Sequence, residues 1–304
     1  MSEKKPIQLG LCCMNTTLKK QKPPIYAARK IIIRIIANLE DLYKMLVWNE
    51  KNGIRVFRLS SELFQHKTNP KVPDYTYDFA LEHLKKIGDY ALEKGHRLTF
   101  HPGQFNVLAS PSEKAYLQTL KDLEYHADVL DLMGMGKDSV MVIHGGGVYG
   151  EKEKTMKRWI ENYHKLPDKI KNRLVLENCE KSYSIEDCLK IHDATGIPIV
   201  FDTHHFDCYI LLHPDDEFSP ASEYIPQILD TWKDKGIKPK FHVSEQGSGK
   251  IGHHSDYIDI LPQYLLDIPE RYGIEIDIMI EAKMKELSIQ KLYEKYPQLN
   301  CKII

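Results

Sequence analysis

The 304-residue chain carries 42 Lys and Arg residues against 43 Asp and Glu residues, a formal net charge of −1 at pH 7. This balance excludes a strongly basic or acidic protein, although a local basic patch would still suffice to bind a polyanion. Six cysteines without a CxxC pair argue against a disulfide framework or a thiolate zinc site and favour reduced thiols in a cytosol-like compartment.

The chain also lacks the sequence signals of membrane insertion and secretion. The longest apolar stretch, around Ile31–Ile36, is interrupted by Arg34 and is too short to span a bilayer. The N-terminus has no apolar core of the kind found in secretory signals. The sequence therefore predicts an intracellular protein without a transmembrane segment, a signal peptide or a membrane partner.

Eight short apolar runs with β character follow one another along the chain, and nearly all of them end at a polar or metal-capable side chain. The runs are Ile7–Cys13 before Asn15, Ile54–Leu59 before Ser60, Arg97–Phe100 before His101, Val140–Ile143 before His144, Leu174–Leu176 before Glu177, Pro198–Phe201 before Asp202, Pro239–Phe241 before His242, and Ile276–Ile280 before Glu281.

Segments with helical periodicity separate these runs. One such segment ends at the stop signal Asn52-Gly53, and its apolar residues with helical spacing are Ile32, Ile35, Ile36, Leu39, Leu42 and Leu46. Regular alternation of strand and helix predicts a parallel sheet, and eight repeats fit a closed TIM (β/α)8 barrel better than a doubly wound sheet. We therefore expect an α/β protein in which residues 1–304 form a single TIM-barrel domain.

Three longer inserts are predicted to lie on the functional rim of this barrel. They are Thr16–Ala27, Gln65–Tyr77 and His204–Ser219, which follow the first, second and sixth strands. Long barrel loops more often serve binding than packing. The segment Lys19–Arg34 is rich in Lys and Arg and is a candidate for contacts with phosphate groups, although a solvated helix face explains its composition equally well.

The carboxyl ends of all strands of a TIM barrel point to one face, where active sites lie. Imidazoles and carboxylates concentrate at these ends, and together they predict a site for more than one Mn, Zn or Fe ion rather than an all-oxygen Ca or Mg site. A single His at a strand end is more often packed than ligating, but candidates on successive strand ends favour a ligand set. The candidates are His101, His144, Glu177, Asp202, His205, His242, His254 and Glu281.

Two reactions suit such a site. Multi-metal centres stabilise the attacking and leaving oxygens of a phosphoryl displacement, so phosphodiester hydrolysis is the first hypothesis. A metal-dependent sugar isomerase or epimerase is the second, and it would need one ion held by two Glu, one Asp and one His. That smaller set leaves four of the histidines without a role, which favours the phosphodiesterase.

Seven motifs in this order and spacing resemble those of the UV damage endonucleases, over roughly Leu9 to Lys285. They are Leu59–Phe64, Phe100–Phe105, Ile143–Gly147, Leu176–Asn178, Phe201–His205, Lys240–His242 and Met279–Lys283. The resemblance implies an ATP-independent DNA repair hydrolase that nicks UV-damaged double-stranded DNA immediately 5′ of cyclobutane pyrimidine dimers and 6-4 photoproducts, and of other lesions as an extension. The cut would leave a 3′-hydroxyl and a 5′-phosphate.

The resemblance also implies cofactors and roles. The eight candidates above would hold about three divalent ions, with Mn²⁺ expected and Zn²⁺ or Mg²⁺ as alternatives. Glu177, Lys240 and His242 would be catalytic, with Glu177 bridging two ions and Lys240 carboxylated on its amine. Without the resemblance, Lys240 would be interpreted as an ordinary lysine at a strand end.

Lesion recognition is implied for Gln104, Phe105 and Asn15, and three positions depart from the family pattern. Phe105 replaces a usual Tyr, Leu11 stands at an aromatic position, and Asn69 replaces a usual His before Pro. An apurinic-site endonuclease, a relative on the same barrel, is an alternative, as is a damage-binding protein that has lost cleavage. A monomer is expected.

Overall fold

A computed structural model of the chain describes residues 5–19, 31–72 and 74–301. Within these ranges, eight parallel strands form a closed barrel in chain order, and the first strand pairs with both the second and the last. The strands are β1 Ile7–Cys12, β2 Val56–Leu59, β3 Arg97–Phe100, β4 Met141–His144, β5 Leu174–Glu177, β6 Ile199–Asp202, β7 Lys240–Val243 and β8 Ile276–Ile280. The predicted TIM barrel is confirmed.

Helices follow the strands and cover the outside of the barrel. They are α1 Thr16–Lys19, α2 Ile31–Lys51, α3 Leu81–Lys94, α4 Glu113–Leu132, α5 Lys152–His164, α6 Asp168–Lys171, α7 Ile185–Thr195, α8 Thr203–Leu212, α9 Ala221–Lys233, α10 Gln263–Leu266, α11 Ile268–Tyr272 and α12 Glu286–Lys295. None of the helices in the described ranges is long and apolar enough to cross a bilayer.

Four strands, β4 to β7, end one or two residues later than the apolar pattern predicts. The backbone pairing of the barrel continues through the polar side chains, so that His144 pairs with Glu177 and Asp202 pairs with His242. These residues are therefore the last members of their strands, or lie within them, rather than the first residues of loops. Their backbones have the rigidity of the barrel wall.

The insert after β6 was expected to be a loop over His204–Ser219, and this expectation is wrong for most of its length. Helix α8 begins directly after the strand because Asp202 Oδ1 accepts a hydrogen bond of 2.8 Å from the backbone N–H of His205, which caps the helix. The insert after β1 contains the short helix α1, and the rest of it, with most of the basic segment Lys19–Arg34, lies outside the described residues.

Successive side chains of a strand point to opposite faces of the sheet, so every second residue faces the barrel interior. On β2, Phe57 and Leu59 join the large apolar cluster that includes the helices, whereas Arg58 between them faces inward and reaches Glu281, which follows β8 two strands away. The same alternation places Lys240 and His242 on the interior side of β7, where their nitrogens Nζ and Nε2 are 2.6 Å apart.

The opposite end of the barrel is closed by a buried ion pair. Arg97 at the start of β3 donates from Nη1 to Asp277 Oδ2 at 2.7 Å, and the two residues are 5% and 0% exposed. Arg97 also donates to the backbone carbonyls of Asp138 and Lys238, and Lys238 Nζ lies 2.6 Å from the other carboxylate oxygen of Asp277. The guanidinium thus has its counter-ion and three hydrogen bonds, from Nε and Nη1, at this closed end.

The substitution Asp277→Ala is expected to lower the free energy of unfolding by about 3–5 kcal/mol, because it leaves the guanidinium of Arg97 buried without its counter-ion. Equilibrium urea unfolding measures this loss. The matched control is Asp89→Ala, which removes an exposed partner of Lys85 on α3 and should change stability by less than about 1 kcal/mol. Equal effects of the two substitutions would contradict a structural role for the buried pair.

Candidate metal centre

The carboxylate of Glu177, at the end of β5, lies at the centre of the predicted ligand set and is 1% exposed. Its Oε2 is 2.9 Å from His101 Nε2, and its Oε1 is 2.8 Å from His242 Nδ1. His144 Nε2 and His205 Nδ1 each lie 3.6 Å from one of its oxygens. Among the described residues this makes two groups that could each hold an ion, and Glu177 belongs to both.

The other three predicted ligands adjoin these groups. Glu281 Oε1 is 3.3 Å from His242 Nδ1, and Glu281 Oε2 is 3.9 Å from His254 Nδ1. Asp202 Oδ2 is 3.7 Å from His205 Nδ1. The structure thus brings all eight predicted ligands into one continuous cluster, and their role as ligands remains a prediction.

Buried polar atoms of this cluster lack partners within the protein. Asp202 Oδ2 and His144 Nδ1 are buried and have no hydrogen-bond partner in the part of the chain that the structure describes. Leaving such groups unpaired costs about 1–3 kcal/mol each. Imidazole and carboxylate donors in this mixture suit divalent transition-type ions. The residues present therefore fit the implied metals.

The protonation states of the cluster also suit metal binding, which requires ionised carboxylates and neutral imidazoles. Burial lowers the pKa of His144 and of His242 to about 4. Burial acts to raise the pKa of Glu177, but the neighbouring imidazoles of His242 and His144 outweigh it and hold the pKa well below its usual range. At neutral pH these residues are in their ligating forms.

Asp202 and His205 form a more basic pair. Burial raises the pKa of Asp202 to about 7. Burial also disfavours the charged form of His205, but the carboxylates of Asp202 and Glu177 outweigh it and raise the pKa of this imidazole to about 9. An ion that binds here must displace the proton of His205, so binding at this pair weakens as pH falls.

Three residues that support the site were not singled out by the sequence. Asn178, after Glu177, donates from Nδ2 to the carbonyl of Asp202 at 3.0 Å and accepts from its N–H at 2.8 Å, which fixes the end of β6. Arg58 forms an ion pair with Glu281. Burial acts to raise the pKa of Glu281, but Arg58 outweighs it and holds the pKa well below its usual range. The third residue is Glu286, whose carboxylate accepts hydrogen bonds from the backbone N–H groups of Thr16 and Thr17.

Lys240 lies beneath the ligand cluster and is fully buried. Its Nζ is within hydrogen-bond distance of His242 Nε2, on the side of the ring opposite Glu177. Burial, with a smaller contribution from Arg58, lowers the pKa of Lys240 to about 8. A fraction of the amine is therefore neutral at physiological pH, which is the nucleophilic form.

The predicted lesion-probing pair projects into solvent. Gln104 is exposed, and Phe105 is 79% exposed, so its ring is not packed beneath its own loop. The loop itself is held by Asn106, whose Nδ2 donates to the carbonyl of Gly103 at 2.9 Å and to Asp122 at 2.8 Å. A Cβ at Gly103 would lie 2.7 Å from the Phe105 ring, so glycine permits this close approach.

Asn15 is placed differently, since only 3% of it is exposed. Its Oδ1 accepts from the backbone N–H of Leu18 at 2.9 Å and caps α1, while its buried Nδ2 has no partner in the described chain. It lines a cavity of about 560 Å³ with Leu18, Ser60 and Glu62, and none of the eight predicted ligands lines this cavity.

The other two departures from the family pattern lie away from the cluster. Leu11 is fully buried in the apolar core. Asn69 Oδ1 accepts a hydrogen bond of 3.0 Å from the backbone N–H of Lys71, within its own turn. Over the described ranges, no hydrogen bond or ion pair joins Asn69 or the exposed His66 to the eight predicted ligands.

Comparisons with known proteins agree with this geometry. A protein of Acanthamoeba polyphaga mimivirus is 38% identical over 315 residues, which cover 98% of this chain and 93% of that protein. The UV DNA damage endonuclease of Bacillus velezensis is 36% identical over 264 residues, which cover 85% of this chain and 80% of that protein.

Among solved structures, SacUVDE superposes with a TM-score of 0.81 at 32% identity, and the match covers 96% of this chain and 100% of that chain. The family model described as UV-endonuclease UvdE matches residues 7–302, nearly the whole sequence. The chain therefore belongs to the UvdE family of UV-endonucleases.

Proposed function

We propose that this protein is a metal-dependent DNA repair endonuclease that cuts the phosphodiester backbone immediately 5′ of UV photoproducts. Cyclobutane pyrimidine dimers and 6-4 photoproducts are the proposed substrates, and the products carry a 3′-hydroxyl and a 5′-phosphate without a requirement for ATP. The observation that carries the proposal is the cluster around Glu177, on the same rim as an exposed Gln104-Phe105 pair, in a chain of the UvdE family.

The eight clustered residues are the proposed ligands, with Mn²⁺ as the expected ion. Glu177 belongs to both groups of ligand atoms, so its two oxygens are placed to serve two ions. Divalent ions held there would lower the pKa of water and stabilise the charge of the displaced phosphodiester. Arg58 keeps Glu281 ionised and in place, and Asn178 holds Asp202 and the N-terminus of α8.

Lys240 is proposed to react with carbon dioxide. Its neutral amine would form an N–C bond and release one proton, which converts a buried cation into an anionic oxygen donor. The lowered pKa of Lys240 favours this reaction because only the neutral amine is nucleophilic. In this state the side chain would stand beside His242 as an additional anionic group.

Gln104 and Phe105 are proposed to enter the duplex at the lesion. Flipping damaged nucleotides out of the stack costs a few kcal/mol, and less where pairing is already weakened. The exposed ring of Phe105 can replace lost base stacking, an interaction worth about 1–3 kcal/mol per base. Phe retains the stacking face of the usual Tyr and lacks only its hydroxyl.

The sugar epimerase hypothesis explains less of the structure. It would use Glu177, Asp202, His242 and Glu281 only. It leaves His101, which approaches Glu177 within hydrogen-bond distance, without a role. A damage-binding protein without cleavage would need the loss of a catalytic group, for which Asn69 in place of the usual His is the candidate. Asn69 makes a hydrogen bond within its own turn.

The decisive experiment is incision of a 5′-labelled duplex that carries one cyclobutane dimer, with Mn²⁺ and with a chelator. We expect a nick directly 5′ of the dimer, abolished by chelation because the proposed ions are then removed. An undamaged and an abasic duplex are the parallel substrates. Faster cutting of the abasic duplex would instead identify an apurinic-site endonuclease, and no cutting in Mn²⁺ would refute the proposed activity.

The substitution Glu177→Gln is expected to reduce the rate of dimer incision by about 10³-fold or more, because it removes the charge shared by both ligand groups. Metal content, measured on the purified protein, should fall as well. The control is Glu161→Gln on the exposed face of α5, where the same chemical change should leave the rate and metal content intact. Full metal content in the Glu177 variant would contradict its proposed bridging role.

The substitution Phe105→Ala should lower kcat/KM for the dimer duplex about tenfold through the loss of stacking, and the metal content should not change. Phe105→Tyr should retain the activity. Leu211→Ala removes another exposed apolar side chain, 68% exposed on α8, and serves as the control for general surface effects. An Ala variant as active as the parent would rule out insertion of this ring.

A further inference from the structure

A buried carboxylate outside the metal centre binds the loop that contains Asn15. Glu286, the first residue of α12, is fully buried. Its Oε2 accepts from the backbone N–H of Thr16 at 2.8 Å. Its Oε1 accepts from the hydroxyl of Thr16 at 2.5 Å and from the N–H and hydroxyl of Thr17 at 2.6 and 2.9 Å. Hydrogen bonds to an ionised acceptor are about twice as strong as neutral ones.

The short helix α1, which Glu286 binds, would not keep its position without tertiary contacts. Helix α1 has only four residues, and so short a helix is not stable without tertiary contacts. Asn15 caps it through Leu18, so the orientation of α1 and that of the Asn15 amide are coupled. Glu286 accepts from the first two residues of α1, which directly follow Asn15.

The start of α12 is itself in a strained conformation. Lys285, the residue before Glu286, has φ +51°, which is uncommon for a residue with a side chain. Such strain persists where surrounding contacts hold it and occurs preferentially at functional sites. The loop before Lys285 is held from another direction. The backbone N–H groups of Lys283 and Met284 donate to the carbonyls of Ser255 and Asp256, next to His254. The loop after β8, from Glu281 to Glu286, therefore holds both the loop after β1 and the loop after β7 through hydrogen bonds.

We propose that Glu286 is a positioning residue for damaged DNA, acting through Asn15 rather than touching DNA or metal. Its four hydrogen bonds fix the loop after β1, and with it the Asn15 side chain, relative to the Glu281 ligand on the same β8 loop. This inference rests on the proposed function and on the implied role in lesion recognition of Asn15, which lines a cavity next to the loop after β2. It predicts that the carboxylate contributes to selection of damaged DNA and not to metal binding.

The test uses Glu286→Gln, which keeps the size of the side chain but replaces one accepting oxygen with a donor that faces other donors. The control is Glu294→Gln, the same change on the exposed face of α12. Amide hydrogen exchange measures the hydrogen bonds from Thr16 and Thr17 to Glu286, here called the clamp, and does not depend on enzymatic activity. Exchange of the Thr16 and Thr17 amides should be at least about tenfold faster in Glu286→Gln, because the charge of the acceptor and one of its two accepting oxygens are lost. Unchanged exchange would refute the clamp.

A double-mutant cycle with Asn15→Ala tests the functional role. Glu286→Gln alone should lower kcat/KM for the dimer duplex about tenfold, mainly through KM, with metal content unchanged. If Glu286 acts through Asn15, it should have little further effect in the Asn15→Ala background. If the reductions in kcat/KM from Glu286→Gln and Asn15→Ala multiply fully in the double variant, the proposal is overturned. A loss of bound metal in Glu286→Gln would overturn it as well. A parent protein that leaves the dimer duplex uncut would refute the proposed function, while the exchange measurement would still decide the clamp.

Discussion

The carboxylate of Glu177 lies almost without solvent among four imidazoles, and the rest of the site depends on how its charge is balanced. Asp202 and Glu281 add two more buried carboxylates, whereas Arg58 and Lys240 are the buried cations that face them. A buried charge without compensation is costly. Burial raises the pKa of Asp202 to about 7, so this carboxylate holds a proton more readily than an exposed one.

Divalent ions would replace that proton, and carboxylation of Lys240 would increase the demand for positive charge. The amine that now contributes a cation would then contribute an anion beside His242. The amine and the ions would then be coupled through charge: the modification would favour metal binding, and bound metal would favour the modification. Such coupling would explain a lysine deep in a site whose other members are suited to bind cations.

The two ends of the barrel use buried polar groups in different ways. At the closed end, the guanidinium of Arg97 has a carboxylate and two carbonyls as partners, so the buried cation and its counter-ion both belong to the protein. At the rim, oxygens and nitrogens such as Asp202 Oδ2 have no partner among the described residues. Within those ranges, the four non-glycine residues with positive φ, Cys13, His66, Tyr149 and Lys285, all lie in loops that follow strands. Backbone strain in the described residues thus lies on the side of the barrel where binding is proposed.

The fold was accessible from sequence because its signal is local and repeated. Alternation of β runs and helical faces predicts a barrel, and the clustering of the eight predicted ligands followed from one rule, that parallel strands end on the same rim. The exact strand ends were not accessible, because His144 and Glu177 continue the backbone pairing although their side chains break the apolar pattern. Alternation within β2 could have drawn attention to Arg58, a single charge in an otherwise apolar run.

Glu286 could not be found from the sequence because its partners, Thr16 and Thr17, are about 270 residues away and ordinary in composition. Only the closure of the barrel, which sets β8 beside β1, brings them together. Residues that hold a loop through distant contacts are therefore harder to predict from sequence than the exposed residues of the loop itself. The same holds for Asn106, which supports the Gln104-Phe105 loop through Asp122.

If the proposed roles hold, these supports would let the departures from the family pattern bear on selectivity rather than on chemistry. The predicted ligands lie mostly on strands or directly after them, where the barrel fixes their backbones. In the described chain, no hydrogen bond or ion pair joins Asn69 to them. Phe105 and Asn15 are presented by loops instead, one exposed and free to enter a duplex, the other buried and fixed by its cap and by Glu286. Chemistry that depends on the wall and recognition that depends on the loops can vary independently. A changed aromatic at position 105 would then alter which distortions are accepted, while the reaction at the Glu177 cluster stays the same.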